Sequence, residues 1–152
     1  MEKNDYKKTL LSNGVLGFVT HGHSMWPFIK NKKTSVIVLK KEDRLSVYDV
    51  GFYQRKSGEY VLHRVIEVTD DGYIFMGDSQ FNKEFVLEED VYGVLSGYYQ
   101  GKKYVDCNSD EYVNAIKDWY ANPETRKNKI DKYYKKQSIK AKIKKVLTFG
   151  RK

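Results

Sequence analysis

Cysteine, targeting signals and long apolar runs are scarce in this chain, and each scarcity excludes something. A single cysteine, Cys107, leaves no intrachain disulfide framework and no metal cluster built on cysteine spacing. A reducing compartment is the simplest home for such a chain. Residues 1–8 are polar and run into only a few apolar positions before Ser12-Asn13-Gly14, too short a stretch for a secretory signal. Nowhere do about 18–20 apolar residues follow one another uninterrupted, as a membrane-spanning helix requires. The expectation is therefore a cytoplasmic protein, free or held peripherally at a membrane surface. Internal repeats and low-complexity linkers are absent too. So is any helix-turn-helix segment ahead of residue 15, which argues against a DNA-binding repressor.

What is present suffices for one folded domain. The length of 152 residues fits a single domain with its own core. Hydrophobic residues make up 40% of the chain and aromatic residues 14%, enough to bury a core rather than remain disordered. The net charge of +8 suggests a polyanionic partner until it is located along the chain. Between residues 126 and 152 there are twelve Lys or Arg against one acid, Asp131, whereas residues 1–125 carry 16 positive and 19 negative charges. The basicity belongs to the tail.

From residue 15 to about residue 106 short runs rich in Val, Ile, Tyr and Phe alternate with turn signals. Strands are predicted over 15–20, 35–39, 49–54, 60–69, 73–76 and 91–99. Lys56-Ser57-Gly58, Asp70-Asp71-Gly72 and Gln100-Gly101-Lys102 read as the turns of hairpins. Close strands without intervening helices favour an antiparallel barrel or curled sheet. After Cys107 the character changes. Asn108-Ser109-Asp110-Glu111 has the form of a capping box, and Tyr112, Ile116 and Trp119-Tyr120 follow at helical spacing. Asn122-Pro123 ends that helix and starts another, predicted over about 124–148. The expected organisation is a mainly β domain over residues 1–107 and a basic helical extension over residues 108–152.

Gly22-His23-Ser24-Met25-Trp26-Pro27 follows an apolar run and precedes a polar stretch. By composition it is a turn. A second segment, Tyr60 to Val68, sets His63 inside a strongly β-forming run, where an isolated histidine commonly serves a structural role. In order along the chain stand Gly22, Ser24, Met25 and Pro27, then His63-Arg64-Val65-Ile66, then Gly77-Asp78, then Asp90-Val91-Tyr92-Gly93-Val94. This ordered set, covering about residues 15–99, resembles the type I signal peptidases, in particular their Ser-His subtype. That family shares its curled antiparallel β-barrel with LexA-like, self-cleaving repressor peptidases, which use Ser and Lys; His63 points to the first branch.

The resemblance implies Ser24 as nucleophile and His63 as general base. The chemistry agrees: a serine hydroxyl needs a base within hydrogen-bond reach, and imidazole, with an ordinary pKa of about 6.5, suits the task. A nucleophile on a tight turn also presents its own backbone N–H to an oxyanion. Gly22 would admit a substrate backbone closely and Pro27 would fix the turn, so Gly22, Met25 and Pro27 are the expected substrate and oxyanion residues. A carboxylate should orient the imidazole. Asp78 matches the family's Gly-Asp pair, and Glu84, six residues on, falls where a relative would carry its catalytic Asp; Asp78 is the first choice and Glu84 the substitute.

The sequence departs from the family in two respects. Lys30-Asn31-Lys32-Lys33 replaces the Gly-Asp pair that usually follows the serine motif, and the family's membrane anchor is missing. The expected function is a serine endopeptidase that trims a peptide or protein precursor without cofactor or metal. Its rival is a catalytically silent module that binds a peptide or partner on the same fold. The tail reads as a solvated helix, as a contact with anionic membrane, or as a contact with nucleic acid. Ile139, Ile143, Val146, Leu147 and Phe149 beside many lysines fit the membrane among the two contacts. Nucleic acid is not expected, because interleaved arginine and aromatic positions are lacking, Tyr133 and Tyr134 aside.

Overall fold

The β-branched and aromatic runs become the strands of one antiparallel sheet in a computed structural model that describes residues 6–149. The elements in chain order are α1 (Tyr6–Asn13), β1 (Val15–Val19), β2 (Thr34–Lys40), β3 (Val50–Gln54), β4 (Tyr60–Val68), β5 (Gly72–Met76) and β6 (Lys83–Leu87), then β7 (Val91–Gln100), β8 (Lys103–Asp106), α2 (Asp110–Ala121) and α3 (Pro123–Phe149). A short 3-10 turn, Glu88–Asp90, links β6 to β7. All six predicted strands are present. α1, β6 and β8 are additions: β6 and β8 are short and rich in charge, so neither displays the apolar run that marks the others.

The strand order is β1-β2-β7-β3-β4-β5-β6, with β8 also on β7. This path is open among the described residues, with β1 and β6 at its ends, where closure into a barrel was expected. With helices at both termini the architecture is mixed α and β around an antiparallel sheet. β7 organises it. One edge of β7 pairs with β2 over Gly93 to Gln100, and the other is shared between β3 near Val91–Val94 and β8 near Gly97–Gln100.

The sheet has two apolar faces. On one, α1 packs over β1, β2 and β7, with Leu10 fully buried and the rings of Tyr6, Phe18, Phe52 and Tyr60 in a continuous stack. On the other, Leu45, Tyr53, Val61, Val65, Tyr73, Phe75 and Val91 form a buried cluster. The second face carries the candidate site, because the pleat turns His63 to the same side as Val61 and Val65.

Two compact units divide at Val113/Asn114, inside α2, whereas the sequence boundary at 107/108 falls in the loop before it. Ser109 caps α2: its Oγ accepts from the Tyr112 N–H at 3.2 Å. The cap therefore sits one residue beyond the start of the predicted capping box. Asn122 caps α3 through Oδ1, which accepts from the Thr125 N–H at 2.9 Å, and Pro123 takes the first helical position, where a missing N–H costs nothing. Among the described residues no helix is long and apolar enough to cross a membrane. The polar start, residues 1–5, and the end of the basic tail, residues 150–152, lie outside the described residues.

Candidate active site

Ser24 stands on the tight turn between β1 and β2. Gly22 adopts φ 98°, a left-handed conformation that a side chain disfavours, and its N–H donates to Asn31 Oδ1 at 2.8 Å. The substituted Lys30–Lys33 stretch thus closes the loop. The turn continues with Trp26 N–H donating to the His23 carbonyl and Ile29 N–H to the Met25 carbonyl. Met25 turns its side chain into the interior, 4% exposed, so that side chain serves packing; Pro27, after a cis peptide bond, is half-buried.

A second loop grips the first. The Ser79 N–H donates to the Ser24 carbonyl at 2.9 Å and the Ser79 hydroxyl to the His23 carbonyl at 2.6 Å. Gly77 permits this approach, since a Cβ there would lie 2.7 Å from the Ser24 carbonyl oxygen. The grip fixes the carbonyls of His23 and Ser24, and the Ser24 hydroxyl faces β4.

His63 comes from the middle of β4, and its Nε2 lies 3.2 Å from Ser24 Oγ across 39 residues of sequence. Ser24 is half-buried and His63 is 5% exposed, so the hydroxyl remains reachable while the imidazole is shielded. Behind the imidazole, Nδ1 lies 3.4 Å from the Tyr53 hydroxyl and 3.5 Å from Glu84 Oε1. The Tyr53 hydroxyl donates its one proton to Glu84 Oε1 at 2.5 Å, which leaves its oxygen free to accept. Both groups at Nδ1 are therefore acceptors. They favour the tautomer with the proton on Nδ1 and a bare Nε2 facing Ser24, the arrangement a general base requires.

Arg55 holds Glu84 in place, with Nε at 3.1 Å from one carboxylate oxygen and Nη2 at 2.7 Å from the other, and Nη1 2.7 Å from Glu59. This grip, with the Tyr53 hydrogen bond, holds the Glu84 carboxyl below its ordinary range against the opposing effect of burial. Burial lowers the His63 pKa below the histidine norm, and the charge of Glu84 only partly counters it. At neutral pH the pair is a neutral imidazole beside a carboxylate. Tyr53, buried and tied to Glu84, has its hydroxyl pKa raised and keeps its proton.

Asp78 has a different partner. Its two oxygens receive Arg64 Nε at 2.7 Å and Nη2 at 2.6 Å, with both side chains fully buried. Arg64 also donates to the Tyr48 carbonyl and the Tyr112 hydroxyl. Of the two carboxylates expected to orient His63, the first choice, Asp78, is engaged by Arg64, next to His63 but turned to the other side of β4, and the substitute, Glu84, is the one beside Nδ1. Sequence reasoning missed Tyr53, Arg55 and Ser79. The β3–β4 hairpin turn held the signal for Tyr53, since the register that pairs Tyr53 with Val61 puts it diagonal to His63 on the same face.

Cys107 borders a cavity of about 310 Å³ lined also by Leu39–Leu45, Tyr48, Leu95 and Tyr112, which neither Ser24 nor His63 touches. Burial pushes its thiol up to about 11, which leaves it protonated and unsuited to nucleophilic chemistry. No protein-family model matches the chain, and no curated protein matches it.

Proposed function

We propose that the protein is a serine endopeptidase of the signal-peptidase and LexA-like type, acting on a peptide or protein precursor in the cytoplasm. The observation that carries the reading is the line from Ser24 Oγ to His63 Nε2, at 3.2 Å, with Glu84 and Tyr53 behind Nδ1. Nucleophile, base and orienting carboxylate stand in the order that acyl transfer uses.

In the first step His63 Nε2 takes the Ser24 proton as Oγ bonds to the scissile carbonyl carbon. The charge that appears on Nδ1–H is stabilised by Glu84, directly and through the Tyr53 hydroxyl. The carbonyl oxygen becomes an oxyanion, for which the Ser24 N–H on its turn is the candidate backbone donor. Collapse breaks the C–N bond, and His63 returns the proton to the leaving amine. Water then attacks the acyl-Ser24 ester, giving its proton to His63, and the carboxylic acid product departs as Ser24 is restored. His63 suits this cycle because burial favours its unprotonated form, the one able to accept the Ser24 proton, at neutral pH.

Labelling with a serine-reactive phosphonate, with the site mapped by mass spectrometry, tests the reading. Wild type is expected to label at Ser24, and Ser24→Ala and His63→Ala to lose labelling while keeping the wild-type circular dichroism. A folded wild type that does not label at Ser24 would instead support a silent peptide-binding module.

A further inference from the structure

The end of α3 carries a feature that the peptidase reading leaves unused. Every residue from 138 to 149 is exposed, although Ile139, Ile143, Val146, Leu147 and Phe149 are large and apolar, with exposures of 48 to 76%. At 3.6 residues per turn Ile139, Ile143, Val146 and Leu147 share one arc of about 100°. Lys140 and Lys142 border that arc on its two sides, and Lys144 and Lys145 lie beyond them. One and two turns earlier the same side of the helix carries Lys132, Lys135 and Lys136. The helix thus presents a row of lysines followed, in line, by an apolar strip.

We propose that this strip is a docking surface for an anionic lipid bilayer, with α3 lying in the interface rather than spanning it. The helix cannot cross the hydrocarbon, because no described helix is long and apolar enough. An interfacial helix has this build: apolar residues that enter the acyl boundary and lysines whose stems follow while their ammonium groups reach lipid phosphates. Charge complementarity selects the occupant. A second copy of α3 on the strip would bring Lys140 and Lys142 against their like, and a nucleic-acid backbone would meet four apolar side chains where it needs cations. An anionic bilayer satisfies both halves, since surface lysines and buried apolar residues add to its affinity independently.

The test is co-sedimentation of the full chain with sucrose-loaded phosphatidylcholine vesicles, with and without about one quarter phosphatidylserine. Wild type is expected to sediment with the anionic vesicles at low salt and to be released as salt shortens the screening length. Ile143→Ser with Leu147→Ser is expected to lower the partition coefficient about tenfold or more, given the apolar area withdrawn. Lys140→Gln with Lys142→Gln is expected to lower it several-fold at low salt and little at high salt. These positions are exposed, so helicity should not change. Absence of binding to anionic vesicles would overturn the proposal. Binding unaffected by loss of the strip would also overturn it, as would tighter binding to a duplex oligonucleotide or concentration-dependent dimerisation through the same residues.

Discussion

His63 and Arg64 are neighbours on one strand, and the two carboxylates they meet could hardly be treated more differently. Arg64 and Asp78 form a dry pair with both side chains fully buried, whereas Glu84, beside His63, keeps a side chain 32% exposed and shares its charge among Arg55, Tyr53 and the imidazole. The first pair is a structural clamp. It anchors the 77–79 loop, whose Ser79 in turn holds the carbonyls of His23 and Ser24. The second is more exposed, which suits the role proposed for Glu84 in stabilising a transient imidazolium. A strand that alternates faces residue by residue can serve both ends, one side fixing the Ser24 loop and the other setting the surroundings of His63.

Breaking the clamp should have the largest effect. Asp78→Asn leaves the Arg64 guanidinium buried without its counter-charge, a change that typically costs about 3–5 kcal/mol. Urea denaturation should report the loss as a lower midpoint. Glu84→Gln, at a half-open position, should change the unfolding free energy by no more than about 1 kcal/mol. Its cost falls on chemistry: phosphonate labelling of Ser24 should slow by about 10²-fold or more. The two variants would thus separate along different axes, stability for one and rate for the other.

Smaller effects sharpen the contrast. His63 binds protons less readily folded than unfolded, because burial opposes its charge. As pH falls through about 6.5, the unfolded chain takes up a proton that the fold resists, so stability declines towards the folded pKa of His63. Glu84 has the opposite charge and a lower window: its contribution is present above the ordinary carboxyl range of about 4.3 and is lost as pH falls through its lowered folded value. Thermal melts at stepped pH should show the histidine loss disappear in His63→Ala. The smallest effect belongs to Tyr53→Phe, which keeps the ring stacked 4.6 Å from Phe75 and removes only the hydroxyl. A several-fold slower labelling rate is expected, corresponding to about 1 kcal/mol for one hydrogen bond.

The strands that build the core were legible because Val, Ile, Tyr and Phe mark them, and the turn of Ser24 was legible because Gly22 and Pro27 punctuate it. β6 was not, since Lys83-Glu84-Phe85-Val86-Leu87 spends two of its five positions on charges and leaves only three apolar residues, along an outer strand where no side chain is fully buried. That gap hid the environment of Glu84. The preference for Asp78 had a related cause: a linear motif ranks residues by order, whereas the side to which a carboxylate turns is set by strand register. Arg64 carried the missing information, since a buried arginine demands a buried acid. Sheet closure was likewise beyond reach, because whether β1 meets β6 depends on curvature accumulated over the whole sheet.

The most direct test of the account is the pH dependence of phosphonate labelling at Ser24 in wild type and in Glu84→Gln. The wild-type rate is expected to rise with pH through a midpoint below about 6.5, the ordinary histidine value, as His63 loses its proton. Glu84→Gln is expected to show a lower plateau and a midpoint displaced further towards acid, because the carboxylate that favours the imidazolium is gone. Identical profiles in the two proteins, or a wild-type rate that does not respond to pH across that range, would contradict the account.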